Sequence, residues 1–248
     1  MFQAADGGGR MTVRRPRAAA PAGRRPSVTR SALVAAALDV VESEGLDALS
    51  MRRLAEQLGV QAASLYWHVQ SKEQVLDLLA DELLTRVLTE ALPADLDRVA
   101  TGEKAWTDAL RETAVNYRAF LRCRRDAARI IAGRFVGGVS LARLLEPILG
   151  VLRAGGLSSH DAAYAVYTII VYVQGFVLHE SSPLSASNAE GMERSDALRG
   201  VKAAIGALPH DEFPYLAESV DALTEANLDE RFRFGLDRLI DGLTAYVR

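Results

Sequence analysis

Three side chains that can each donate a hydrogen bond stand consecutively at Tyr66, Trp67 and His68, within the stretch GVQAASLYWHVQSKE from Gly59 to Glu73. Consecutive positions on a helix point to different sides, so the three cannot all enter one core. A phenol O–H, an indole N–H and an imidazole N–H are donors that phosphate oxygens accept. The residues just before them, Ala62, Ala63 and Ser64, are small. Small residues let a backbone approach base edges, with an alanine methyl able to touch thymine and a serine hydroxyl able to bond either partner of a pair. Arg52 can reach a guanine or a phosphate, Arg53 is a further phosphate candidate, and Lys72 can join backbone amides at a helix start in holding a phosphate. The chemistry these residues share is contact with double-stranded nucleic acid. The alternative is an exposed turn packed on its own domain, for which Leu65 and Val69 are the core positions.

The elements around this stretch must be helices. From Thr29, Leu33, Ala37, Leu38, Val40 and Val41 form one apolar stripe that ends at Gly45, where a C′ glycine belongs. A shorter helix over Met51 to Leu58 follows, with Ser50 placed to cap it, and Gly59 and Val60 make a tight turn into a third short helix over about Gln61 to Trp67. Ser71 and Gln74 have capping-box spacing and open a long fourth helix through Val75, Leu76, Leu79, Leu83 and Leu84. Two short helices joined by a glycine turn, after a longer one, make a helix-turn-helix, whose second short helix enters the major groove.

Beyond Pro93 the readable pattern stays helical: Trp106 to Leu121, a short piece from Arg125 to Gly133, Leu141 to Ala154, His160 to Glu180, a modest helix over Asp196 to Ala207, and a last one from Leu228 to Val247. The stretch SSPLSASNAEGMERS, Ser181 to Ser195, reads as a loop. No strand run and no glycine-rich phosphate loop stand out, so the fold expected is all-α. It has three parts: a disordered basic arm over residues 1–28, a three-helix helix-turn-helix head over 29–75, and a helical core over 76–248.

The composition fits this reading. The chain has 248 residues, of which 49% are hydrophobic and 25% charged, as in a soluble globular protein. The single cysteine, Cys123, excludes an internal disulfide framework and suits a reducing interior, so cytoplasm is expected. The first 26 residues lack a continuous apolar run of the secretory kind, and Ala162 to Leu178, interrupted by Gln174 and three tyrosines, reads as a buried bundle helix with no membrane partner. The net charge of −3 hides an uneven distribution, because Arg10, Arg14, Arg15, Arg17, Arg24, Arg25 and Arg30 face only Asp6 in the first thirty residues. A basic end on an acidic body suits one end meeting a polyanion. GRRP at Gly23 loosely resembles a minor-groove arm, the alternatives being a solvated tail or a true start at Met11. His68, His160, His179 and His210 are scattered, and no metalloprotease or paired Glu-x-x-His pattern is present, so neither catalysis nor a metal or other cofactor is expected.

Taken together, TRSALVAAALDVVESEGLDALSMRRLAEQLGVQAASLYWHVQSKEQVLDLLADELL resembles the tetracycline-repressor (TetR) family of bacterial regulators. The resemblance continues more weakly through YRAFLRCRRDAARIIAG, LRAGGLSSHDAAYAVYTIIVYVQGFVLHE and FRFGLDRLIDGL. It implies a homodimer with two DNA-binding heads, a core that holds a small-molecule effector, and a four-helix dimer bundle built from the helices at His160 and Leu228. It also implies operator contact by Arg52, Ser64, Tyr66, Trp67, His68 and Lys72, with Ala62 standing where the tetracycline repressors carry a base-reading glutamine, so that the operator sequence should differ.

In the ligand pocket the resemblance implies departures. Ile131 takes the place of a magnesium-ligating histidine, and His179 that of a glutamate reaching the metal site from the other subunit. Leu88, Thr113, Arg134 and Ile148 stand where His, Asn, Thr and Gln would be, and Tyr117 keeps an aromatic. Without hard-metal ligands the effector expected is a fairly apolar molecule other than a magnesium-tetracycline chelate. Thr113, Tyr117, Gln174 and His179 are candidates to orient it, and Arg134 to pair a carboxylate. The alternatives are a core aromatic at Tyr117, an interface hydrogen bonder at Gln174, a helix-end histidine at His179 and a surface ion pair at Arg134. A DNA-binding regulator or architectural protein without an effector is the competing function, and a cavity opening toward Tyr117 would oppose it.

Overall fold

The computed structural model describes residues 28–134, 137–181, 194–225 and 227–247. The expected basic arm lies outside them but for Val28, as does most of the loop expected over Ser181 to Ser195. The described residues contain helices and turns and no strand.

The head begins with α1 (Arg30–Glu44), whose first turn is capped by the Thr29 hydroxyl accepting from the Ala32 N–H at 3.1 Å. Its buried face is Leu33, Ala36, Ala37, Val40 and Val41, the stripe that helical spacing requires. In α2 (Met51–Leu58) the Ser50 hydroxyl accepts from the Arg53 N–H at 3.1 Å. Gly59 closes α2 in the left-handed region at φ 65°, where a side chain would be strained. The next helix, α3 (Ala62–Leu65), is a single turn. It is shorter than the pattern suggested, because the Leu65 carbonyl accepts from both His68 N–H (2.8 Å) and Val69 N–H (2.9 Å), which tightens the chain into a turn.

The fourth helix, α4 (Lys72–Glu90), opens on the Ser71 cap, whose hydroxyl accepts from the Gln74 N–H at 3.2 Å; the return bond of the expected capping box is shifted by one residue, Gln74 Oε1 accepting from the Gln70 N–H at 2.7 Å rather than from Ser71. It runs unbroken from head to body and buries Val75, Leu76, Leu79, Ala80, Leu83, Leu84 and Val87. The body adds α5 (Trp106–Arg122), α6 (Ala127–Ile131), α7 (Val139–Ala154), α8 (Ser159–Glu180), α9 (Arg194–Gly206), α10 (Pro214–Leu223) and α11 (Leu228–Thr244). A single apolar cluster extends from Leu33 and Leu65 in the head through α4 to Leu236 and Ile240 in α11.

Two elements depart from this layered packing. The main neighbour of α9 is α10, and neither helix buries a side chain among the described residues. The sequence pattern did not reveal α10, which has Pro214 at its first position but no buried stripe to leave a 3.6-residue period. In contrast, α8 is long and apolar enough to cross a membrane by length and composition, yet buries Ala162, Ala165, Val166, Ile169, Val173 and Val177 within the bundle. Along the same helix Tyr164, Tyr167 and Val171 are exposed.

Candidate DNA interface and ligand cavity

Leu65 and Val69 are buried, and the turn between them throws Tyr66, Trp67 and His68 outward. Trp67 is 90% exposed and Tyr66 53%. So large an aromatic pair is left in water, outside the packed core. Ala63, Ser64 and His68 share that exposed tip, and Ala62 is half-buried beside them. Arg52 also reaches solvent, with Glu56 at 3.7 Å as a loose neighbour. Lys72, in the first turn of α4, is half-buried and helps Arg129 hold the Asp47 carboxyl below its usual range, the Arg129 hydrogen bond being the larger cause.

Arg53 differs from expectation. Its guanidinium is forked onto Glu44 (2.9 Å from Nε, 2.6 Å from Nη2) and donates to Gln57 Oε1 at 2.9 Å. The hydrogen bond from Arg53 also pulls the Glu44 carboxyl below its usual range. Arg53 therefore fastens α2 to the end of α1 and is not a free phosphate donor. The cause is its position on α2, which faces the acidic C-terminal turn of α1.

The connection between head and body was not legible from motifs. Arg125 donates to the carbonyls of Ser43 (3.0 Å) and Glu44 (3.1 Å), placing a cation at the C-terminal end of α1. Asp126, held at φ 58°, accepts from the Leu46 N–H at 2.8 Å, and Arg129 pairs with Asp47 at 2.8 Å. Arg134 reaches α4, with Nη1 2.8 Å from Asp77 and Nη2 2.6 Å from Glu73. The short helix α6 is thus tied to the head at its first end and to α4 just past its last.

Between α4, α5, α7 and α8 lies a cavity of about 520 Å³, a size suited to an organic ligand. Its walls are mainly apolar, with Leu84 and Val87 from α4, Leu110 from α5, Leu144 and Ile148 from α7, and Ile170 from α8. Thr113, Tyr117, Ile131, Arg134, Ile148 and Gln174 all lie on the wall, which is where six of the eight expected ligand residues belong. Thr113 uses its hydroxyl proton on the Ala109 carbonyl (2.7 Å). Gln174 Nε2 donates to the Tyr117 hydroxyl at 2.9 Å, so the phenol keeps its own O–H as a donor. Burial pushes the Tyr117 phenol up to about 12, which keeps it neutral.

Two expected ligand residues are off this wall. Leu88 packs against the core beside Val87, one residue and so a large rotation away from the lining face of α4. His179 is exposed, and it lies five residues past Gln174, where the lining steps of three and four have turned away. Ile131 offers the cavity a hydrocarbon where a hard divalent cation would need oxygen or imidazole donors, and no group of three metal-binding side chains gathers among the described residues.

Comparisons with known proteins agree with this architecture. Residues 33–79 match the family described as "Bacterial regulatory proteins, tetR family". Residues 100–247 match "Tetracyclin repressor-like, C-terminal domain". The tetracycline repressor protein class A from transposon 1721 of Escherichia coli is 34% identical, over 85% of this chain and 88% of its own length. The HTH-type transcriptional repressor DrrR1 of Streptomyces coeruleorubidus is 30% identical, over 91% and 80%. Among solved structures, Streptomyces coelicolor ActR in complex with actinorhodin superposes with a TM-score of 0.75 at 32% identity, covering 89% of this chain and 97% of that one. The chain belongs to the tetR family of bacterial regulatory proteins, ligand-responsive transcriptional repressors that bind DNA.

Proposed function

We propose that this chain works in the cytoplasm as a homodimeric repressor. It is released from a palindromic operator by a small, mostly apolar organic molecule other than magnesium-tetracycline, and it catalyses no reaction. The observation that carries this reading is the placement of α4. Its first residue, Lys72, follows the exposed Tyr66-Trp67-His68 turn by four residues, and further along Leu84 and Val87 wall the cavity. A ligand that binds better when α4 is displaced must change the position of the head, and by reciprocity bound DNA must weaken that ligand equally.

Operator contact falls to Arg52, Ala62, Ala63, Ser64, Tyr66, Trp67, His68 and Lys72, and ligand contact to the wall residues. The exposed Tyr164 of α8, with Phe234 of α11, favours a second copy packed on these helices. The complex of ActR with actinorhodin supports an organic occupant for the cavity. A regulator without an effector is disfavoured by the cavity itself, which has Tyr117 on its wall.

The reading is tested by capturing genomic DNA on the purified dimer and screening organic molecules for release of the captured fragment. A compound that enters the cavity should release the DNA, while tetracycline with magnesium should not. Tight, magnesium-dependent tetracycline binding in a calorimeter would contradict the reading, as would a ligand that fills the cavity and leaves DNA affinity unmoved.

A further inference from the structure

Arg134 is the one residue on the described cavity wall that carries a formal charge. Its side chain is 20% exposed, whereas those of the carboxylates it holds, Glu73 and Asp77 on the first turns of α4, are 70% and 55% exposed. That asymmetry decides which group can leave. Exposed carboxylates return to water at little cost, and such pairs contribute little to stability. The more enclosed arginine, on the edge of an apolar wall, loses more by standing without an anion than either carboxylate loses by standing without it. One cation already faces two carboxylates, so a third anion arriving from the cavity repels both and competes with them for the guanidinium.

We propose that the effector carries an anionic group, a carboxylate or sulfonate, at one end of its apolar body, and that Arg134 is the residue that reads it. The fork of the guanidinium suits two-point binding of such a group. Binding exchanges Glu73 and Asp77 for the ligand, which unfastens the first turns of α4 directly after the Tyr66-Trp67-His68 turn. The ties of Arg125, Asp126 and Arg129 to the end of α1 and to Asp47 involve no residue of the cavity wall, so they stay in place and the head pivots on them. This inference rests on the ligand-responsive reading above and narrows it to a class of effector.

The test uses two dyes that share an aryl-naphthylamine body, 8-anilino-1-naphthalenesulfonate, which is anionic, and N-phenyl-1-naphthylamine, which is neutral. Fluorescence titration of the full chain is run on the wild type, Arg134→Gln and the double variant Glu73→Gln/Asp77→Asn, with mutual displacement of the dyes showing a shared site. The wild type should prefer the sulfonate by about tenfold or more. Arg134→Gln should abolish that preference while moving the neutral dye far less. The double variant, with its guanidinium freed, should bind the sulfonate several times more tightly. A shared site with no sulfonate preference in the wild type, a preference that survives Arg134→Gln, or a double variant with unchanged sulfonate affinity would overturn the anion inference alone. Failure of both dyes to enter any variant would overturn the ligand reading with it.

Discussion

Trp67 concentrates the case for DNA contact in one side chain. It is 90% exposed and so contributes little to the fold. Trp67→Ala should leave the melting temperature almost unmoved, within the effect of about 0.5 kcal/mol usual for surface changes. It should nevertheless weaken DNA binding by about 1–3 kcal/mol. Equal losses in both, read by calorimetry and by mobility shift, would make it a packing residue instead. Lys72→Ala should reduce the slope of log affinity against log salt by about 1, because one phosphate neutralisation is lost. An unchanged slope would remove Lys72 from the interface. Tyr117 reports on the cavity wall through its proton. The fold buries the neutral phenol, so its contribution is whole below the unfolded tyrosine value near 10 and is lost as pH rises through about 12. In an alkaline absorbance titration of the seven tyrosines, one should ionise last, and Tyr117→Phe should delete that step. A full-size last step in the variant would refute this assignment. The sequence made the donors at 66–68 legible because a run of three bulky polar tips has no core explanation. It hid the role of Arg53, whose partner Glu44 lies across a helix junction, and the acid partners of Arg134, which lie 57 and 61 residues away.

Among the elements, α8 and α11 approach each other closely enough to require glycine at 235. A Cβ there would collide with the Tyr172 hydroxyl, which donates to the Phe232 carbonyl at 2.8 Å. Gly235→Ala should destabilise the protein by about 1–3 kcal/mol, the usual range for overpacking. Differential scanning calorimetry would show this as a lower melting temperature, and an unshifted transition would mean the helices part freely. Helices that bury an apolar stripe were legible: α1, α2, α4, α5, α7, α8 and α11 follow from periodicity and caps, because core packing imposes the period that the sequence displays. Where packing imposes none, the period weakens: α9 was still legible over Asp196 to Ala207, whereas α10 was not. No residue of α10 is buried, and α3 gives way after one turn at the shared Leu65 carbonyl, a local change that a sequence period does not register. The cavity was legible only as a set of positions, since a void is a property of several helices at once, and the rotations of α4 and α8 that exclude Leu88 and His179 are set by that packing.

For the whole molecule, one unbroken helix runs from the exposed Tyr66-Trp67-His68 turn to the cavity wall, and in the proposed homodimer a two-fold axis would double that turn. Exposed aromatic faces on α8 and α11, together with the unburied pair α9 and α10, give a second copy much to cover. If the arginine-rich segment before Val28 adds only phosphate contact, a chain lacking it should bind DNA modestly less tightly with the same sequence preference. Equal affinity of the two forms in a titration would show the segment idle. Two heads related by a two-fold axis must read inverted half-sites, with centres about one helical turn apart, roughly 34–36 Å, or a multiple of it. Selection of bound sequences from a random DNA pool by the full-length protein, followed by footprinting, measures that arrangement. The coupling described here requires enriched inverted repeats at that spacing, protected by the wild type and left unprotected by Trp67→Ala. A single unpaired site, or a pool that stays random at low salt, would contradict it.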